Sequence, residues 1–238
     1  MNSFKNSKKM KAVTFSYDDA VVQDIRLIEL LNKYGLKCTF NLNSGLLGTP
    51  NRLIRNDSKI CHYRIFPQDV KSVYEGHEVA AHTITHPSLP AIEDDNQIIY
   101  QVDEDRKKLE ELVGYDVVGM AYPGGGENNN DRVAAVIKEN TPLKYCRTIV
   151  STHNFEIQNN LYRFNPSVYH LHFDKMMELG KEFIDLKPDK PQIYYIWGHS
   201  YEMDFDSKNW FKLEEFFEMI SGHDDIFYGT NAQVLLPD

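Results

Sequence analysis

The amino-acid sequence predicts an α/β fold built on a parallel sheet, open or closed into a barrel, and three observations carry that reading. Strand-like and helix-like stretches alternate along the chain after its first nine residues, no antiparallel half interrupts them, and no internal repeat or low-complexity segment sets up another architecture. At this length, with 42% hydrophobic residues, one well-buried domain is the default.

After Met1, residues 2–9 are Asn, Ser and Lys with Phe4 as the one aromatic, and residues 1–9 are expected to form a mobile tail ahead of a domain at 10–238. The β-branched and aromatic run 12–17 predicts a strand that ends at the acidic pair Asp18 and Asp19. Ile25, Ile28 and Leu31 then repeat at helical spacing over 21–34, with Gly35 as the stop signal. A second strand at 38–42 completes a βαβ unit, whose strands are parallel and whose crossover is right-handed. Periodicity fails over 43–65, where Gly, Pro, Asn and Arg predict a long excursion forming a rim of the site. A short helix at 69–74 leads to a strand near 78–81, which delivers His82. A long helix follows at 94–112, then a strand at 117–122 running into Pro123 and three glycines. Beyond a helix near 130–138 and a strand near 145–149, the stretch to Tyr169 is ambiguous. Helices at 173–184 and 210–220 and strands at 193–197 and 226–228 complete the chain.

Composition excludes several functions. A formal net charge of -9 and a sequence pI near 5.5 argue against binding nucleic acid or an anionic membrane surface, which needs concentrated Lys and Arg. The same balance suits a neutral substrate or a divalent cation. Cys38, Cys61 and Cys146 form no C-x-x-C pair, so neither a disulfide framework nor a cysteine zinc site is indicated. Free thiols, no apolar leader and no apolar run of about 18 residues lead to the expectation of a cytoplasmic protein without a membrane span.

In parallel α/β folds the functional groups stand at the carboxyl ends of the strands. Here those ends carry Asp18 and Asp19, then His82 with His86 four residues on, then Tyr122-Pro123-Gly124, and late in the chain Trp197-Gly198-His199. Two imidazoles and a carboxylate are a standard ligand set for a catalytic zinc with an open position. Of two adjacent carboxylates at a strand end, one can hold metal while its neighbour accepts a proton. Each signal is weak alone. Nine histidines make an H-x-x-x-H pair common by chance, paired aspartates can simply open a helix, and three glycines can be an ordinary turn. His199 could be a surface histidine, and Trp197, Tyr201 and Trp210 could be core rather than sugar-stacking aromatics. Their joint placement at strand ends favours the functional reading. His62, His77, His153, His170, His172 and His223 are read as structural or solvated.

Residues 16–20, Ser-Tyr-Asp-Asp-Ala, resemble the T-F-D-D-G motif of the polysaccharide deacetylase family (NodB-like, carbohydrate esterase family 4-like), and 82–86 resemble its H-[ST]-x-x-H. Residues 120–125 are similar to its third motif and 196–199 to its late L-x-x-H, so the resemblance runs in family order from Lys11 to Tyr228. It implies a single-domain, distorted, partly open (β/α)7-type barrel with parallel strands, acting as a metal-dependent hydrolase that removes acetyl groups from N- or O-acetylated carbohydrate. One divalent ion, zinc, would be held by Asp19, His82 and His86. Asp18 would be the general base, His199 the general acid, and the backbone N–H of Gly124 would stabilise the oxyanion. Tyr122, Arg163, Trp197 and Tyr201 are the expected substrate contacts. Two departures stand out: Ala121 occupies the place of an Arg that orients the catalytic Asp, and no D-x-x-D-W motif is present. Arg163 is expected to replace the missing charge. The same fold and metal would also serve hydrolysis of another C–N bond, as in allantoinase-like or small-amide hydrolases. A chain that had lost efficient chemistry with the Arg would be a catalytically silent sugar-binding protein.

Overall fold

The structure, a computed structural model, describes residues 3–55 and 58–237. In chain order its first elements are β1 (Lys11–Asp18), α1 (Gln23–Lys33), β2 (Cys38–Leu42), the short strands β3 (Arg52–Arg55) and β4 (Ser58–Cys61), and α2 (Val70–Val73). There follow β5 (Glu78–Ala81), α3 (Asp95–Val113), β6 (Gly119–Ala121), α4 (Asp131–Asn140), β7 (Tyr145–Arg147) and β8 (Val168–Tyr169). Last come α5 (Phe173–Asp185), β9 (Gln192–Gly198), α6 (Asn209–Ile220), β10 (Ile226–Tyr228) and α7 (Asn231–Leu235).

Every residue of β1, β2, β5 and β9 is buried, as strands of a parallel sheet enclosed on both faces must be. All pairings in the eight-stranded main sheet are parallel; seven strands run in the order β7-β6-β5-β2-β1-β9-β8 and curl into a half-barrel, and β10 joins at β1. β1 is the axis. β9 accompanies nearly its full length, from Lys11 opposite Gln192 to Tyr17 opposite Gly198. On its other edge β10 pairs with Lys11–Val13, while β2 pairs with the half from Phe15 to Asp18. The two ends of the curl approach through residues 164–170, whose backbone bonds to β7 at Cys146 and to β9 at Trp197. These scattered bonds, rather than any alternating apolar pattern, define the stretch whose sequence is ambiguous.

Elsewhere the expected elements recur with ends shifted by a few residues. The excursion at 43–65 holds the antiparallel pair β3 and β4, then returns to the main sheet, where Tyr63 C=O accepts from Val22 N–H at 2.9 Å and Ala20 C=O accepts from Ile65 N–H at 2.8 Å. The expectation of a mobile tail is corrected from Ser3 onward. Phe4 is buried against Phe227, ring centroids 5.9 Å apart, and its N–H donates to Gln233 C=O at 2.8 Å. Burying one phenylalanine contributes about 1.5–3 kcal/mol, enough to dock a short polar segment. Among the described residues no helix is long and apolar enough to cross a membrane.

Candidate active site

The carboxyl end of β1 is where the backbone leaves the sheet. Asp18 is its last residue, and Asp19 and Ala20 both take left-handed conformations, φ 84° and 54°. A left-handed L-residue costs roughly 1–2 kcal/mol, so two in a row need support. It comes from Asp19 N–H to Asn41 C=O at 3.1 Å and from the returning excursion at Ala20 and Val22. The turn frees the neighbouring carboxylates from strand alternation, so both stay at one end of the sheet.

Asp19 meets two histidines delivered by β5. One ligand atom each from Asp19, His82 and His86 lie within 4.8 Å of one another. His82 follows directly on β5, and its Nδ1–H donates to Ala121 C=O at 2.8 Å, which leaves Nε2 available to a metal ion. Burial lowers the His82 pKa to about 4, keeping the ring neutral. Its backbone N–H donates to Asp105 of α3 at 2.9 Å, and Asn43 donates to the carbonyls of His82 and Thr83. Thr83 and His86 are again left-handed, φ 68° and 60°, which folds the segment back and brings the two rings to 4.9 Å.

These residues fit a divalent ion. Asp19 Oδ1 is buried without a hydrogen-bond partner, 3.7 Å from His86 Nε2. Burial pushes the Asp19 carboxyl up, but the hydrogen bond from His62 and the charges of His199, His82 and His86 outweigh it and hold the pKa well below the carboxylate range. A carboxylate and two imidazoles are a zinc-type donor set with room for exchangeable ligands.

Asp18 is engaged differently. Its Oδ1 accepts from Asn41 Nδ2 at 2.8 Å, and its Oδ2 accepts from the Arg147 guanidinium at 2.5 Å, both partners buried. Here the expectation for Arg163 is corrected: its guanidinium bonds Asn129 at 2.8 Å and Asp131 at 2.5 Å, and the cation against Asp18 is Arg147. Arg147 ends β7 and pairs in register with Ala121, so the charge sits one strand across from its expected place.

His199 Nε2 is 3.9 Å from Asp18 Oδ2, and its Nδ1 is 3.1 Å from Glu202 Oε2. Burial opposes the imidazolium, but the charge and hydrogen bond of Glu202 win and raise its pKa to about 9. Glu202 is fixed in turn by His170 Nε2 at 2.8 Å and by the Tyr169 hydroxyl. Gly198 makes that packing possible, since a Cβ there would stand 2.2 Å from the His170 ring. Gly124, φ 84°, lies in the exposed loop after β6, which Asn128 pins by donating to Tyr122 C=O and Gly124 C=O, each at 3.0 Å.

Two of the four expected substrate contacts are wall residues. Tyr122 is 1% exposed with its hydroxyl donating to Tyr162 C=O, and Trp197 is buried under the Arg147 guanidinium, 4.6 Å from its ring centroid. Tyr201 does reach the site, its ring centred 4.5 Å from His62 and 5.1 Å from His199. Sequence reasoning missed Arg147, Glu202, Asp105, His62 and Arg64. His62 and His170, read as structural or solvated, contact Asp19 and Glu202.

A family profile described as "Polysaccharide deacetylase" matches residues 5–141. No curated protein matches the chain. Among solved structures, a family 4 carbohydrate esterase from Streptomyces lividans in complex with acetate is 13% identical with a TM-score of 0.57, covering 97% of this chain and 99% of that one. A carbohydrate esterase family 4 pseudoenzyme from Bacillus anthracis is 16% identical with a TM-score of 0.54, covering 96% and 66%. A Streptococcus pyogenes deacetylase in complex with acetate is 19% identical with a TM-score of 0.50, covering 63% of this chain and 61% of that one. The chain thus spans less than two thirds of the length of the last two, and at these identities the likeness is one of fold.

Proposed function

The chain belongs to the polysaccharide deacetylase family, enzymes that hydrolyse acetyl groups from carbohydrates, and from that premise we propose that it is a metal-dependent deacetylase of N- or O-acetylated sugar. The observation that carries this reading is the junction of the Asp19, His82 and His86 cluster with Asp18 and His199, which stand 3.9 Å apart at the same end of the sheet.

A divalent ion on Asp19, His82 and His86 would polarise the acetyl carbonyl and acidify water. Asp18, oriented by Asn41 and Arg147, accepts a proton from the attacking water. The Gly124 N–H donates a hydrogen bond to the carbonyl oxygen as negative charge builds on it. His199, charged through Glu202, donates its Nε2 proton to the departing nitrogen or oxygen. The silent sugar-binding alternative rested on an absent arginine, and Arg147 supplies that charge from the next strand.

Acetate release over a panel of acetylated oligosaccharides in added Zn²⁺ tests the reading, with cyclic amides as the competing substrates. Release from the sugars is the expected result. Turnover of cyclic amides alone would move the chain to the small-amide hydrolases, and sugar binding without turnover would make it silent.

A further inference from the structure

The excursion between β2 and β5 contributes to the site by its return leg. We propose that His62 and Arg64 are positioning residues that set how tightly Asp19 holds the ion, His62 strengthening that hold and Arg64 weakening it. This rests on the metal reading above and adds to it a second layer of control from outside the recognisable motifs.

The hydrogen-bond chain fixes the role of His62. Asn51 Nδ2, a donor, lies 3.3 Å from His62 Nδ1, which must therefore accept, so Nε2 carries the proton and donates it to Asp19 Oδ2 at 3.3 Å. With Oδ2 engaged, Oδ1 is the oxygen offered to a ligand, and it is the one without a hydrogen-bond partner. His62 is buried, packed edge-on against Tyr201, and cannot swing aside into solvent. Arg64 is also buried and places NH2 3.8 Å from that same Oδ1. Its backbone bridges Val21 and its neighbour Ile65 bonds to Ala20, so the guanidinium is tied to the left-handed turn that carries Asp19. A hydrogen bond to a ligand's second oxygen fixes orientation and favours the bound ion, whereas a unit positive charge beside the first oxygen repels it.

The two substitutions should therefore act in opposite directions, which a merely structural role would not do. Zn²⁺ affinity of the full chain, read by competition with a chromophoric chelator, should fall about 10- to 100-fold in His62→Ala, the usual cost of losing such a partner. His62→Gln, which keeps a donor at similar reach, should restore most of it. Arg64→Gln should tighten binding by roughly fivefold or more, the scale of one unit charge removed at about 4 Å. The visible absorption of bound Co²⁺ should be the same in wild type and His62→Gln, and a changed spectrum would make His62 a ligand and overturn the positioning role. Unchanged affinity in His62→Ala, or weakening in both His62→Ala and Arg64→Gln, would also overturn it. His82→Ala is the control that separates the two readings. If it binds Zn²⁺ as wild type does, or wild type binds none, the metal site itself falls and this inference with it.

Discussion

At the amino-terminal end of the sheet buried charge is fully engaged, whereas at the carboxy-terminal end it is left with capacity to spare. Lys11 donates to the carbonyls of Phe183 and Ile184 and pairs with Asp225. Glu78 accepts from Tyr145 on one oxygen and from Thr39 and Ala232 on the other. At the opposite end Asp19 Oδ1, Asn41 Oδ1, Asn43 Oδ1, Arg64 Nε, Arg147 Nε and Trp197 Nε1 are buried without hydrogen-bond partners. Buried polar groups are normally satisfied, and each exception asks for an explanation. His77 Nε2, beside the start of β5, is also buried without a partner, so the contrast lies in the charged groups: at one end Lys11 and Glu78 are engaged, and at the other unmet bonding on Asp19, Arg64 and Arg147 coincides with left-handed backbone at Asp19 and Ala20.

The largest effect that would sharpen this contrast comes from paired conservative changes. Asp18→Asn should cost about 10²- to 10⁴-fold in acetate release, the range for loss of a general base, with bound metal unchanged. Glu78→Gln should lower stability while leaving turnover per folded molecule as it was. If Glu78→Gln slows turnover as much, the division between the ends fails; if Asp18→Asn loses metal while Asp19→Asn keeps it, the two aspartates have exchanged roles.

Next comes Arg147→Ala, which strands Asp18 as an unpaired buried charge and should lower unfolding free energy by about 3–5 kcal/mol in denaturant titration. Adding Ala121→Arg should recover part of the loss, because the two positions are in register. No recovery would show that the charge must come from β7.

The pH profile is a subtler probe. In the proposed mechanism His199 donates as the cation, and its pKa is raised to about 9 despite burial because Glu202 faces it. The activity it supports is present at neutral pH and falls as pH rises through that value. The stability gained from its pairing runs the same way: it is fully present below the ordinary histidine pKa of about 6.5 and lost as pH rises through about 9. Glu202→Gln should shift the alkaline limb of kcat/KM to lower pH. An unmoved limb would assign it to another group.

The smallest effect concerns strain. Ala20 holds φ 54° where the resembling motif has glycine, so Ala20→Gly should stabilise by up to about 1 kcal/mol. Because Ala20 is 1% exposed, a loss of stability instead would mean that its methyl packs to more effect than its backbone strains.

The contrast also explains what could be read from the chain alone. Cys38–Leu42 and Glu78–Ala81 match the expected strands because each is a short run following a glycine turn signal, with Cys38, Phe40 and Leu42 or Val79, Ala80 and Ala81 as its apolar residues. Asp18 and Asp19 are adjacent, and His82 and His86 are four apart, so local spacing already groups them. Arg147, Glu202, Asp105 and the pair His62 and Arg64 come from four separate segments and acquire meaning only when the sheet curls. Arg147 follows Tyr145 and Cys146 in a strand whose pattern reads simply as core. Tyr122 and Trp197 are wall residues rather than substrate contacts: an aromatic at a strand end can face the mouth or the wall, and sequence does not distinguish the two. The hairpin of β3 and β4 is not legible because its apolar residues follow no single face, Ile60 being buried while Ile54 stands exposed.

The pairing of Ala121 with Arg147 has a consequence for how such proteins are searched for and redesigned. In a parallel sheet the strand ends form a lateral row, and a long side chain from either of two adjacent strands can reach the same point in space. A motif scan reads along the chain and records a vacancy at 121. The Asp18 carboxylate samples the field across the row and finds the vacancy filled. The unit that a designer can move, and that a search should test, is therefore the row: an arginine deleted from one strand and written into its neighbour leaves the local potential in place while erasing the signature.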